Sequence, residues 1–483
     1  MRNYITLRSF PVCLLLLVLG LGSAQAQAAF PFNGGFEMVV GGKPAGWDVN
    51  GQWFVRPDAR VTGRNGISVL ESCSKARALL TTAGYRSVAP NDALDLSFTY
   101  VSTTGHLSCG LVFCDSLGNP IATGAWEALP ASCDWAKYRR QITVPKTVTA
   151  APAADPAAPV APAETPAAKS VPCGAVRLVF RMDEDAVQFK LDDVQLTCAG
   201  PVGAMPLAPK IQAELRPNLT SNPNMKLDAS GQPAGWSSIQ PAGAALTTLE
   251  SSSAPDQCEL GLKGGDATVA WMSDAVLVDG ALPYRVEADV RATGLAAGQL
   301  RLLVELVDPR DARAVWLQQL VELPADPEAP ISVLLPRLWN DKQAVRARVG
   351  LMLQPGAQGC ARLRSLALRP EPLSVSVRSA AIAGGFKKPT DVSLFISAVN
   401  NTYAVLKPNA LLQVYDPAGR AVTSETRPIV IGSRSAAYFP YHPKLTSTGA
   451  YTLRVTILNG GKELGAAGYD FRVGAAQAAA LKP

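Results

Sequence analysis

Along most of this chain apolar and polar residues alternate with a period of two, the spacing that sends successive side chains to opposite faces of a β-strand. The segments ALDLSFTYVS at 93–102 and PYRVEADVRATG at 283–294 show the pattern between Gly, Pro, Asn and Asp residues that end strands. Further apolar strands are predicted in LVFCDSLG, LRLLVELVD, VRLVFRMDEDAVQFKLDDVQL at 176–196 and RVGLMLQPGAQGCARLRSLAL at 348–368. Near Glu371 the pattern becomes a run of antiparallel strands. TDVSLFISAVN is followed by ALLQVYDPAGRAV, with Asp416-Pro417-Ala418-Gly419 as a hairpin turn. GAYTLRVTILNGGKELGAAGYDFRV then turns at Asn459-Gly460-Gly461. The expectation is an all-β protein.

Two stretches repeat. NGGFEMVVGGKPAGW at 33–47 aligns without a gap on NPNMKLDASGQPAGW at 222–236, with identity at Asn33/Asn222, Gly42/Gly231, Pro44/Pro233, Ala45/Ala234, Gly46/Gly235 and Trp47/Trp236. Two copies of one domain are expected, at 29–200 and 209–370, followed by a third domain at 371–475. The Ala/Pro-rich segment 149–172 in copy one reads as an extended, solvated surface loop.

Composition narrows the function. The 483 residues suit about three domains at roughly 100 to 200 residues each. A chain that is 48% hydrophobic and 17% charged is too apolar for a disordered tail, and 40 Gly with 38 Pro are too many turn formers for a helical protein. The net charge of +6, about +4 without Arg2 and Arg8, argues against nucleic acid as a partner. His106 and His442 are the only histidines and stand apart, which leaves no usual zinc site or imidazole base.

Residues 1–26 carry Arg2 and Arg8, the apolar run PVCLLLLVLGLG and the small-x-small ending Ala24-Gln25-Ala26, and read as a cleaved signal peptide. The run is too short to span a bilayer. A secreted or periplasmic protein without membrane insertion is therefore expected. Loss of Cys13 with the leader leaves eight cysteines, an even number that export would favour as disulfides. Copy two holds only Cys258 and Cys360, so a bridge between them is expected. Cys109 and Cys114 lie five apart on one predicted strand, point to opposite faces and should not pair.

NGGFE followed by PAGW, alternating strands and a closing FKLDDVQL resembles the carbohydrate-binding modules of the cellulase CenC type, within the galactose-binding-like jelly rolls. Copy two shares the opening and the strand pattern but lacks the acidic ending. The resemblance implies two-sheet jelly rolls, glycan binding through aromatics, and a structural calcium near the chain ends. In copy one Glu37 and Asp193 are the expected calcium ligands. In the gapless alignment Glu37 falls on Lys226, and Asp192 and Asp193 fall on Arg364 and Ser365, so copy two should bind none. The third domain resembles immunoglobulin-like and fibronectin type III sandwiches, with Leu445 six residues before Tyr451 as in a tyrosine corner.

Sugar faces stack on exposed aromatic rings, and their hydroxyls need planar polar partners. Trp53, Trp126, Trp271 and Trp316 lie near turns or strand ends with Gln52, Glu127, Asp274 and Gln318 nearby, and are the candidate ligand residues. Trp47, Trp236, Trp135 and Tyr138 read as packing residues. No GxSxG, HExxH or Gly-rich phosphate loop is present, and the acidic run Asp183-Glu184-Asp185 reads as a solvated hairpin tip. The favoured reading is a non-catalytic protein that binds poly- or oligosaccharide. The alternative is an extracellular structural or adhesion protein whose sandwiches contact cell-surface proteins.

Overall fold

The computed structural model describes residues 30–474 apart from 41, 52, 58–67, 73–77, 104–106, 150–169, 183–188, 199–205, 208, 242–243, 252–257, 326, 328–329, 336–343, 380 and 382–384. The leader, most of the Ala/Pro-rich loop and the run Asp183–Asp185 lie outside the described residues. The protein is all-β; among the described residues the helical pieces are the 3-10 turns Ala213–Leu215 and Pro389–Asp391.

In the first jelly-roll sandwich one sheet runs, in spatial order, Trp53–Pro57, Ser68–Ser72, Phe189–Cys198, Ala93–Ser102 and Ser132–Thr143. The facing sheet runs Trp47–Asn50, Ala78–Thr82, Ala175–Met182 and Leu107–Cys114, then an edge split into Pro120–Thr123 and Glu127–Ala128. The second sandwich has the same order. Thr247–Ser251, Cys258–Lys263, Cys360–Pro370, Tyr284–Thr293 and Ile331–Leu335 face Trp236–Ile239, Val269–Ser273, Ala344–Leu353, Leu300–Val307 and Ala314–Glu322. Alternation fills each interior: Leu94, Leu96, Phe98, Leu178 and Phe180 in the first, Val286, Val290, Leu302, Val304 and Leu351 in the second.

The repeated opening loops share their hydrogen bonds. Asn33 Nδ2 donates to the carbonyls of Met38 (2.8 Å) and Ala45 (3.0 Å), and its own carbonyl accepts from Trp47 Nε1 (3.2 Å). Asn222 Nδ2 donates to Lys226 (2.8 Å) and Ala234 (2.8 Å), and its carbonyl accepts from Trp236 Nε1 (3.0 Å). These bonds correct the gapless alignment. Lys226 is the counterpart of Met38, while Glu37 is an extra residue of the first loop with no equivalent in the second. The first loop lies against the strand Phe189–Cys198 so closely that a Cβ on Gly34 would stand 2.0 Å from the Val194 carbonyl oxygen.

The sandwiches share a sheet. Tyr85–Ser87 pairs with Ala175–Val176 on one side and with Ala314–Val315 on the other. Gly84 permits the approach, since a Cβ there would stand 2.0 Å from the Val315 carbonyl oxygen. Behind this joint Tyr85 Oη donates to Glu305 Oε1 (2.7 Å), Arg348 pairs with Glu305, and Arg177 donates to Gln318 Oε1 (2.6 Å). Arg86 pairs with Asp311 at 2.8 Å, and Arg313 with Asp92.

In the third sandwich Leu373–Ser379, Leu394–Asn400 and Ala436–Tyr441 pack on a sheet of Gly385–Phe386, Lys462–Val473, Gly449–Asn459, Asn409–Tyr415 and Ala421–Pro428. Gly385–Phe386 pairs in parallel with Arg472–Val473. Tyr451 Oη donates to the Ser447 carbonyl at 3.0 Å. Buried Glu371 accepts from Arg285 Nε at 2.7 Å, and Tyr403 Oη donates to Asp279 Oδ2 at 3.0 Å, which ties this sandwich to the second.

Candidate binding face on the first sandwich

On the strands Leu107–Cys114 and Ala175–Met182, Cys109, Leu111, Phe113, Val176, Leu178 and Phe180 point into the core. Alternation therefore turns Gly110, Val112, Arg177, Val179 and Arg181 outward. Pairing aligns Asp48, Thr81, Val179 and Gly110 in one outward row, and Asn50, Leu79, Arg181 and Ser108 in the next. Trp126 lies where the edge strand breaks, just after Gly124, whose N–H donates to the Leu111 carbonyl at 2.8 Å. The indole covers Gly110, where a Cβ would stand 3.4 Å from Trp126 Cε3. The Arg181 guanidinium carbon lies 4.4 Å from the ring centroid, a cation–π contact. Trp126 and Arg181 are half-buried, and Asp48 and Asn50 are exposed. Asp48 reaches water, yet burial of its surroundings raises its pKa, against the pull of Arg177 and Lys43. The face thus offers an aromatic ring, a guanidinium, a carboxylate, an amide and a hydroxyl beside an apolar floor.

The same register in the second sandwich carries other chemistry. Its rows read Ser237, Met272, Gly350, Leu303 and Ile239, Ala270, Met352, Arg301, and Leu320 stands opposite Leu303 at the position of Trp126. Ala270, Met272, Leu303 and Met352 are buried in one cluster with Leu117, from the turn after Cys114 in the first sandwich. Asn119 Nδ2 of that turn donates to Thr268 Oγ1 at 3.2 Å. One copy of the face is polar with a half-open tryptophan; the other is an apolar seat filled by its neighbour.

Three of the four candidate tryptophans are corrected. Trp53 is 7% exposed, edge-on to Phe189 at 5.7 Å, with Nε1 donating to the Asn50 carbonyl at 3.2 Å. Trp271 is 4% exposed and donates to the Gly261 carbonyl at 3.0 Å. Trp316 is 3% exposed, with its ring 4.9 Å from that of Phe32. Each points inward on its strand and packs in a sandwich core. Arg181, Asp48, Asn50 and Thr81 share the face with Trp126 and are not among the residues the sequence singles out. The signal for Arg181 lay in VRLVFRM, where Arg177 and Arg181 fall on one period-two face of an otherwise apolar strand.

The expected disulfide is also corrected. Cys360 is opposite Lys263, five residues along the strand from Cys258, a separation of about 16 Å at about 3.3 Å per residue, against a Cα limit near 7 Å for a bridge. Both are free thiols; Cys258 is buried with Sγ donating to the Met225 carbonyl at 2.6 Å, and Cys360 is exposed. Cys109 faces the first core, whereas Cys114 faces the junction beside Tyr85 and Val315, where burial pushes its thiol up to about 12.

Among the described residues no group of three or more His, Cys, Asp or Glu side chains gathers as a metal site. A looser acid pair does border Gly35: a Cβ there would stand 3.8 Å from Asp192 Oδ1 and 4.0 Å from Glu37 Oε1. Asp192 is fully buried, while Asp193 sits at a bulge with φ 51° and is exposed. Hard carboxylate oxygens beside loop carbonyls are the donor type calcium takes. Glu37 and Asp192 fit that donor chemistry, and Asp193 stands beside them on the bulge. In the second sandwich Arg364, at the position of Asp192, is paired with Glu259 at 3.0 Å.

No known protein family and no curated protein matches the sequence. Among solved structures the chain is similar to the tandem CBM22-1–CBM22-2 domains of Paenibacillus barcinonensis Xyn10C, at 12% identity over 72% of this chain and 96% of that one, with a TM-score of 0.23. It is similar to TmCBM61, solved with β-1,4-galactotriose, at 11% identity over 32% of this chain and 99% of that one (TM-score 0.23). It is also similar to Bacteroides uniformis β-glucuronidase, at 10% identity over 42% of this chain and 26% of that one (TM-score 0.23). The chain therefore spans about a quarter of the length of that enzyme.

Proposed function

We propose that the protein binds poly- or oligosaccharide on the outward face of its first sandwich. Trp126 is the stacking ring, and Arg181, Asp48, Asn50 and Thr81 pair with hydroxyls. The observation that carries this reading is the half-open Trp126 ring, laid over Gly110 and flanked by Arg181, on a face whose twin is apolar and closed. The Arg181 guanidinium lies over the ring, which leaves the solvent-open part of the half-buried indole to stack on sugar C–H groups, and planar polar side chains beside it fix orientation.

The role we propose is non-catalytic. Glycoside hydrolysis commonly needs two carboxylates across the scissile bond, and among the described residues of the two rows Asp48 is the one acid. Export through the segment 1–26, and the immunoglobulin-like character of the third sandwich, belong to the same proposal. The parallel pairing of Gly385–Phe386 and the Tyr451–Ser447 bond support the second point. One observation favours the adhesive alternative: Phe395 (50% exposed) and Tyr438 (77% exposed) stand on the outer face of the three-stranded sheet. Retention of the protein on insoluble polysaccharides, compared between wild type, Trp126→Ala and Tyr438→Ala, separates the readings. Loss with Trp126→Ala alone supports glycan binding on the first sandwich.

A further inference from the structure

A second concave site lies away from the Trp126 face, where the opening loop and the strand Phe189–Cys198 of the first sandwich meet the second. It is a cavity of ≈ 260 Å³ lined by Gly34, Gly35, Asp193 and Gln195 from the first sandwich and by Arg310 and Trp316 from the second, among others. We infer that this cavity is a binding site for a single neutral sugar residue.

Size comes first. The volume falls just under the range of about 300 to 1,000 Å³ typical of small-molecule sites, which suits one ring and not a chain. The walls are fixed before any ligand arrives. Trp316 is held against Phe32, and Arg310 is clamped by fully buried Asp308 through Nε–Oδ1 at 3.0 Å and Nη2–Oδ2 at 2.9 Å. The clamp leaves Nη1 of Arg310 outside it. The junction itself is tied by Ser87 N donating to the Arg313 carbonyl at 2.8 Å and by the Arg86–Asp311 pair. Little conformational freedom is left to lose on binding, the circumstance in which a small ligand gains most.

The chemistry selects the ligand. Vicinal hydroxyls both donate and accept, and the cavity offers a carboxylate acceptor in Asp193, a guanidinium donor in Arg310, and both functions in the exposed Gln195 amide. The Arg310 charge is balanced by Asp308, so Asp193 leaves the lining acidic and disfavours an anionic sugar. The corresponding bulge of the second sandwich carries Ser365, the counterpart of Asp193, so the repeat does not reproduce this acid.

The test uses the full chain and methyl glycosides of glucose, galactose, mannose, xylose and N-acetylglucosamine, with binding read by calorimetry and saturation-transfer NMR. Asn tolerates positive φ, so Asp193→Asn preserves the bulge; Gln195→Ala is the second variant. The expected result is saturable binding of at least one glycoside that persists in the Trp126→Ala background and is weakened there about tenfold or more by Asp193→Asn and by Gln195→Ala. Folded protein that binds none of these glycosides, or that binds them equally in Asp193→Asn and Gln195→Ala, overturns the inference. Retention on polysaccharide through Trp126 is read separately, so either site can fail without the other.

Discussion

Arg177 and Arg348 hold the same register position in the two sandwiches, and both are spent on the joint between them. Arg177, opposite Val112, donates to Gln318 Oε1 at 2.6 Å and to the Gly118 carbonyl at 3.2 Å; Arg348, opposite Glu305, pairs with that buried carboxylate. Duplication thus supplied one arginine to each side of a shared sheet.

Glu305 should be the most sensitive member of this joint. It accepts from Tyr85, Gln318 and Arg348 and is fully buried. Glu305→Ala leaves Arg348 without its countercharge and should cost about 3–5 kcal/mol, the usual penalty for breaking a buried pair. Glu305→Gln, which keeps one acceptor, should cost less. Urea unfolding of both variants checks the order, and an Ala variant as stable as wild type contradicts it.

Asp48 gives the face a pH dependence. Its pKa is raised, with burial as the largest cause. A raised folded-state pKa stabilises the fold most below the unfolded-state value, and that contribution is lost as pH rises through the folded-state value. Asp48→Asn should therefore be at least as stable as wild type at neutral pH. Glycan binding should run the other way, strengthening as pH rises and the carboxylate ionises, with an inflection above the ordinary aspartate range. Binding titrations across pH 3 to about 7 check this, since that window brackets the usual carboxylate values; the inflection should vanish in Asp48→Asn.

We propose that calcium binds beside Glu37 and Asp192, on the donor chemistry of their carboxylates. Added calcium should raise the melting temperature of the protein, and Asp192→Asn or Glu37→Gln should reduce the rise. Ser365→Ala in the second sandwich should not change it. A melting temperature indifferent to calcium in wild type removes the metal from the account.

Thiol accessibility follows the register. Cys133 and Cys360 are exposed, while Cys109, Cys114 and Cys258 are buried. A short pulse of alkylating reagent on folded protein should label the first two, and the other three only after unfolding. Mass spectrometry locates the labels, and a peptide linking Cys258 to Cys360 contradicts the strand register.

Strand periodicity and the repeated PAGW made the fold class readable from the chain, because each depends on local spacing. Which tryptophans are open did not follow. Trp271 in VAWMS and Trp316 in AVWLQ lie on strands with both faces covered, one by the core and the other by the junction, so their sequences read as continuous apolar runs without alternation. The closed state of the second face depends on Leu117, which lies 153 to 235 residues from its partners Ala270, Met272, Leu303 and Met352, and no local pattern announces it. A gapless comparison misplaces Glu37 because the two opening loops differ by one residue on each side of the turn, a shift the hydrogen bonds of Asn33 and Asn222 reveal.

The most direct test of the central claim is retention on a panel of insoluble cellulose, xylan, mannan and galactan by the full chain and its Trp126→Ala variant, each shown to be folded. The account predicts that wild type is retained on at least one polysaccharide and that Trp126→Ala loses about tenfold or more of that affinity. A tenfold loss corresponds to about 1.4 kcal/mol of binding free energy. Equal retention of wild type and Trp126→Ala, or no retention of wild type on any of the four, contradicts it.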